Sequence, residues 1–179
     1  EILNQHGLSD VQIYEVKGHL SDHYNPSNLT LNLSSEIYHG TSIASLAVAA
    51  HECGHALQHQ EGYKPLTFRN MIVPVCNISQ TIGWIAILLG LFIGKSSISW
   101  LGVLLMSLML LFQIVTLPVE FDASSRALSI LNDRYLTEDE YPGAKKMLTA
   151  AALTYVAAML STLLSLLRIV LMVMSRDRD

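Results

Sequence analysis

Ala49-Ala50-His51-Glu52-Cys53-Gly54-His55-Ala56, set in the run Ser42–Gln60, decides how the rest of the chain is read. Thr41 reads as an N-cap, and the run is rich in Ala and Leu, with neither Gly nor Pro before Gly54. That composition predicts a helix ending near Gly62. Its first half is almost wholly apolar, so the helix is expected to be buried by protein or to lie close to a bilayer. Residues i and i+4 share one helical face. His51 and His55 can therefore point at a single ion while Glu52 reaches a water beside it. Zinc is the expected cofactor: it would lower the pKa of that water towards neutrality, and Glu52 would be the general base as the water attacks a carbonyl carbon. The plainer alternative, histidines packed in a core, leaves imidazole and carboxylate groups unpaired in apolar surroundings, which is costly. Cys53 is read as a small packing residue, since free cysteine behaves as a small hydrophobe.

A catalytic zinc has three protein ligands and one open position. The third ligand must come from outside the helix, and the apolar segments indicate where. Hydrophobic residues make up 51% of the chain and charged residues 15%, with a mean hydropathy of +0.38. The apolar content is concentrated in Ile72–Gly94, Ile98–Val119 and Ala150–Met174, three windows close to the ~20 residues that a spanning helix needs. The first opens with Pro74, Asn77, Ser79 and Gln80, leaving Ile82–Gly94 as its strictly apolar part. Gly94-Lys95-Ser96-Ser97 makes a tight connection, so the first two windows read as a helical hairpin. The chain before residue 72 and the chain after residue 119 then lie on the same side. Glu120 comes directly after the hairpin and is the leading third ligand, with Asp122 as its near rival. Helical geometry does not put both on one face. An acid that merely caps a helix start is the bland reading of Glu120.

The remaining segments are read from local pattern. Val11–Val16 and Leu29–Leu33 alternate like strands, with Gly18, Asn25 and Pro26 marking turns between them. Glu61–Asn70 reads as a loop. Glu120–Asn132 has helical composition, and Thr137-Glu138-Asp139-Glu140 fits a capping box before a last helix in which Pro142 suits an early position. Arg168 stands inside the last apolar window, where it is expected to snorkel to the headgroups or to pair within the bundle. His59, four residues after His55, is expected to support a ligand or face solvent. His6, His19 and His39 read as ordinary surface histidines. His23, with Tyr24, is in addition a candidate donor to a developing oxyanion.

The chain is thus expected to be mainly α: an integral membrane helical bundle with a small α+β, zincin-like catalytic part. It divides into a β element with the zinc-binding helix (1–71), a transmembrane hairpin (72–119), an interfacial helical segment with the third ligand (120–149), and a C-terminal transmembrane helix and tail (150–179). Lys64, Arg69, Arg126, Arg134, Lys145 and Lys146 lie on the motif's side of the hairpin, against Lys95, Arg176 and Arg178 opposite. The richer side is expected to be cytoplasmic, in a multi-pass protein of the cell membrane. Net charge is −4 and the basic residues form no run, which argues against a nucleic-acid partner. Cys53 and Cys76 offer no disulfide framework. The chain opens at Glu1 without a basic and then apolar leader, and is read as a fragment or processed form.

Several stretches are recognisable together: Asp22-His23-Tyr24-Asn25-Pro26, Tyr38-His39-Gly40, the motif from Ala49 to Ala56, Leu117-Pro118-Val119-Glu120-Phe121-Asp122-Ala123-Ser124, and Ala152-Leu153-Thr154-Tyr155-Val156-Ala157-Ala158. On these the sequence closely resembles the bacterial YugP family of membrane zinc metallopeptidases. More distantly it resembles membrane peptidases of the HtpX and CAAX-prenyl-protease kind. The resemblance implies a zinc metalloendopeptidase whose third ligand is Glu120, and a further hydrophobic segment ahead of this chain, making four spans in the intact protein. Those relatives often carry an Asp four residues after the carboxylate ligand. Here that position is Ser124, leaving Asp122 or Ser124 itself to orient a ligand.

The function expected is hydrolysis of peptide bonds in membrane or membrane-adjacent proteins, with a protein or peptide substrate and the lipid bilayer as partners; further protein partners and a homo-oligomer stay open. An exposed edge at Leu29–Leu33 would let an extended substrate add as a strand. The competing reading is a non-catalytic membrane scaffold or partner-binding protein with a structural zinc. A transporter is disfavoured, because the ionisable residues lie at the ends of the spans, with Arg168 the only charge well inside.

Overall fold

In the computed structural model, which describes residues 1–176, the elements in chain order are α1 (Ile2–Gln5), β1 (Gln12–Val16), β2 (His23–Asn25), β3 (Thr30–Ser34), α2 (Ser35–Tyr38), α3 (Ile43–Gln60), α4 (Lys64–Ile93), α5 (Ser96–Arg134) and α6 (Tyr141–Arg176). The end of the C-terminal tail, with Arg178, lies outside the described residues. The chain forms two units: one of Glu1–Thr67 with Pro118–Leu153, the other of Phe68–Leu117 with the chain from Thr154 onward.

The first unit carries the sheet, ordered β1-β3-β2, with β1 parallel and β2 antiparallel to the central β3. Leu31 and Leu33 of β3 are buried and pack with Leu3 and Val11 against Cys53 and Ala56 of α3. The Asp22 carboxylate ties the end of β3 down, accepting from the Ser34 backbone N–H at 2.7 Å and its hydroxyl at 3.0 Å. Two expectations fail here. His23–Asn25 is a strand where only a turn was expected, because three residues beside a proline are too short to show alternation. And β3, paired on both sides, offers no exposed edge for a substrate; the outer strands are β1 and β2.

Helix α3 starts one residue later than expected. Its N-cap is Ser42, whose hydroxyl accepts from the Ser45 N–H at 3.1 Å. The helix ends with Tyr63 N–H on Gln58 O and Gly62 N–H on His59 O, the paired bonds that close a helix C-terminus. Its apolar first half is buried by protein: Ala47 and Ala50 pack against Ala127 and Leu131 of α5 and Ala144 and Leu148 of α6. Alanines on α3 let these helices approach closely, and Gly54 marks the tightest point. A Cβ there would sit 2.6 Å from the Ala123 carbonyl oxygen. Gly54→Ala is therefore expected to destabilise this unit by about 1–3 kcal/mol, the usual range for overpacking. Thermal unfolding in detergent checks it, and an unchanged midpoint would show that the two helices can separate freely.

The helices of the second unit are longer than expected. The anticipated loop Glu61–Asn70 is helical from Lys64 onward, since Pro65 falls in the first turn, where its missing N–H costs nothing. The polar opening of the first span, including Pro74, belongs to the same helix. α5 likewise joins the second span and the helical segment from Glu120 onward into one helix that runs through Pro118. α4, α5 and α6 are long and apolar enough to cross a membrane. Ile87, Val103, Ile169 and Val173 form their buried cluster. Gly102 lies so near the Gly83 carbonyl that a Cβ would meet it at 2.6 Å, the close backbone approach typical of packed membrane helices. Leu88, Phe92, Leu104, Leu164 and Leu171 are exposed at 61–91%, an apolar outer surface that water would not tolerate and lipid would. Arg168 is exposed on α6. Ahead of α6, the Glu140 carboxylate accepts from the Thr137 N–H at 2.9 Å, one arm of the expected capping box; the Thr137 hydroxyl donates to the same carboxylate at 3.0 Å instead of accepting from the Glu140 N–H, and the helix itself begins at Tyr141.

Candidate metal centre

The ligand helix and α5 each contribute a pair of residues four apart, so two helical faces meet: His51 and His55 from α3, Glu120 and Ser124 from α5. Glu120 Oε2 lies 3.2 Å from His51 Nε2 and 3.6 Å from His55 Nε2. The imidazoles meet edge to face with centroids 4.7 Å apart. Metal–nitrogen and metal–oxygen bonds of ~2.0–2.2 Å in a tetrahedron put neighbouring ligand atoms roughly 3.3 Å apart. The donor set and its spacing therefore suit zinc. His51, His55 and Glu120 form a group placed to bind a metal ion, and among the described residues no other group of three His, Cys, Asp or Glu is so placed.

Burial sets the electrostatics. The Glu120 side chain is only 2% exposed, and in such surroundings a carboxylate needs cationic or donor partners. Glu52 is buried on the same helix, and burial pushes its carboxyl above the usual range, with His55 and His51 countering this only in part. A carboxylate so shifted is a better proton acceptor near neutral pH. His55 also lies above its usual value: burial acts against the imidazolium, and the Glu120 carboxylate outweighs it. Burial drives the Cys53 thiol up to about 12, which keeps it protonated and fits its packing role.

A second layer of groups holds the imidazoles. Ser124 Oγ lies 3.2 Å from His51 Nδ1, and Gln58 Oε1 lies 3.0 Å from His55 Nδ1. The Gln58 nitrogen donates to Val119 O and to Asp122 Oδ2, each at 2.8 Å. Arg126 Nε donates to the same Asp122 oxygen at 2.6 Å, and its Nη1 donates to Glu61 at 2.8 Å. Asp122, the rival third ligand, thus faces away from the ion-binding atoms, as helical geometry requires. Gln58 was missed in the sequence, although its position three residues after His55 on the ligand face was a usable signal.

The other candidate histidines lie elsewhere. His23 Nδ1 lies 2.8 Å from Ser21 O and its Nε2 lies 3.2 Å from Asn32 Nδ2, so a donor Nδ1–H and an acceptor Nε2 leave it no spare N–H for an oxyanion. Tyr24 OH pairs with His59 Nδ1 at 2.9 Å on the exposed side of α3. His6, His19 and His39 make exposed contacts with Ile2 O, Glu36 and Glu15.

Two imidazoles and a carboxylate converging beside a second buried carboxylate, in a chain with three apolar helices, define a membrane-bound metallopeptidase type of site. Comparison with known proteins agrees. The chain belongs to the family described as "Putative neutral zinc metallopeptidase", whose model matches residues 1–174. It is 45% identical over 179 residues to "Putative membrane protease YugP" of Bacillus subtilis (strain 168), covering 99% of this chain and 79% of that relative. No solved structure matches the chain. This is a membrane protein of a zinc metallopeptidase family, with a peptide or protein as the substrate class and lipid around its helices.

Proposed function

We propose that the chain is a zinc metalloendopeptidase of the H-E-x-x-H plus Glu type, a zincin-like centre in which His51, His55 and Glu120 hold the ion and Glu52 is the general base. The observation that carries this reading is the convergence of His51 Nε2, His55 Nε2 and Glu120 Oε2 with Glu52 buried beside them on the same helix. Bound zinc would supply Lewis-acid polarisation of the scissile carbonyl and a water of lowered pKa. Glu52 accepts the proton from the attacking water at its carboxylate and returns it to the departing amine. Ser124 and Gln58 keep the imidazoles turned towards the ion, and the apolar packing of Ala47, Ala50, Ala127 and Leu131 fixes α3 against α5.

In this reading the intact protein crosses the cell membrane four times, as the family resemblance implies, three times in the helices of this chain. The excess of Lys and Arg beside the motif supports a cytoplasmic site. Its substrates are membrane or membrane-adjacent proteins. The test is zinc content and cleavage of an unstructured polypeptide by the chain in detergent. A chelator is expected to abolish cleavage and added zinc to restore it. Stoichiometric zinc without cleavage, across several substrates and lipids, would favour a scaffold with a structural ion.

A further inference from the structure

We propose that Gln58 is the positioning residue of this centre, fixing which nitrogen of His55 carries the hydrogen and thereby leaving the other for the ion. The inference rests on the metal-site reading above. Gln58 is 0% exposed, so each of its polar atoms must be satisfied by protein. Its Nε2 lies 2.8 Å from Val119 O and 2.8 Å from Asp122 Oδ2. A backbone carbonyl can only accept, and so can the carboxylate oxygen of Asp122 that already receives the Arg126 Nε–H at 2.6 Å. Both partners demand a donor, so the amide nitrogen faces them. Turning the amide over would set its oxygen against two acceptors in a dry place, which costs a buried hydrogen bond at each.

The amide oxygen is therefore the atom 3.0 Å from His55 Nδ1. An amide oxygen only accepts, so Nδ1 carries a hydrogen, and Nε2, beside Glu120 Oε2, is the nitrogen left to hold an ion when one is bound. His51 is held differently. The Ser124 hydroxyl at its Nδ1 can donate or accept, so it does not by itself choose a tautomer. Gln58 also bonds to Val119, one residue before Glu120, and to Asp122, two residues after it, and so ties the ligand-bearing turn of α3 to that of α5. Asp122 reaches the centre through this amide.

The experiment measures zinc affinity of the full chain in detergent by competition with a chromophoric chelator. Gln58→Met keeps the length of the side chain and removes the amide. Its zinc dissociation constant is expected to rise about 10–100-fold, the usual effect of losing a group that orients a ligand, with helical content by circular dichroism unchanged. Asp122→Leu should weaken zinc in the same direction. The double variant should bind zinc no more weakly than Gln58→Met, because Asp122 has nothing to act through once the amide is gone. Unchanged affinity in Gln58→Met, as a purely space-filling role predicts, overturns the proposal, and so does a double variant whose loss is the product of the two single losses. If Gln58→Met does not fold, Asp122→Leu decides, and unchanged affinity there overturns the proposal. The readout is zinc binding, so an unaltered chain that binds zinc and cleaves nothing would count against the peptidase reading alone.

Discussion

Glu52→Gln is expected to lower peptide hydrolysis by about 10²–10⁴-fold, the range that a positioned general base contributes, with the zinc content unchanged. The amide fills the space of the carboxylate and cannot take a proton. Glu52 stands on α3 between the two imidazoles in sequence, and it is buried, so solvent water cannot readily take over its role. Burial holds its carboxyl above the usual range, and a neutral amide is desolvated at lower cost there than a carboxylate anion, so the variant should fold about as well as the unaltered chain. Zinc content and cleavage rate are read on the same preparation. Zinc lost in step with activity would make Glu52 a holder of the ion, and undiminished cleavage would remove it from the chemistry.

Glu120→Gln should have the opposite signature: the ion goes first and activity goes with it. The variant keeps shape in a site where the side chain is 2% exposed, and loses the anionic oxygen that lies 3.2 Å and 3.6 Å from the two imidazole nitrogens. Two histidines alone leave a zinc site incomplete. Its zinc affinity should therefore fall by more than the ~10–100-fold expected when an outer hydrogen bond is lost. Asp122→Asn is the control, since the asparagine oxygen still accepts from Gln58. Equal zinc loss in both variants would return Asp122 to the position of third ligand; zinc retained by Glu120→Gln would exclude Glu120.

The membrane character and the position of the zinc helix were legible in the sequence because both rest on local regularities. Apolar windows of spanning length and a His pair four apart need only one helix each to be read. Glu120 was legible through connectivity, since a hairpin must return the chain to the motif's side. Local signals misled at the helix boundaries. Glu61–Asn70 read as a loop, yet it is helical from Lys64 onward, and Pro74 and Pro118 also lie inside helices, because tertiary packing and an apolar environment can hold a helix through a missing N–H.

The sequence by itself determined the class of chemistry: which side chains could bind an ion, which could act as base, and that the chain belongs in a membrane. Only the tertiary structure set Glu120, and not Asp122, beside the two imidazoles, brought in β2, closed both sides of β3 and revealed Gln58. Those outcomes depend on contacts between residues far apart in the chain, such as Gly54 against Ala123 and Gln58 against Val119. The helical period places a side chain on a face; the partner that the face meets is set by how closely two backbones can pack.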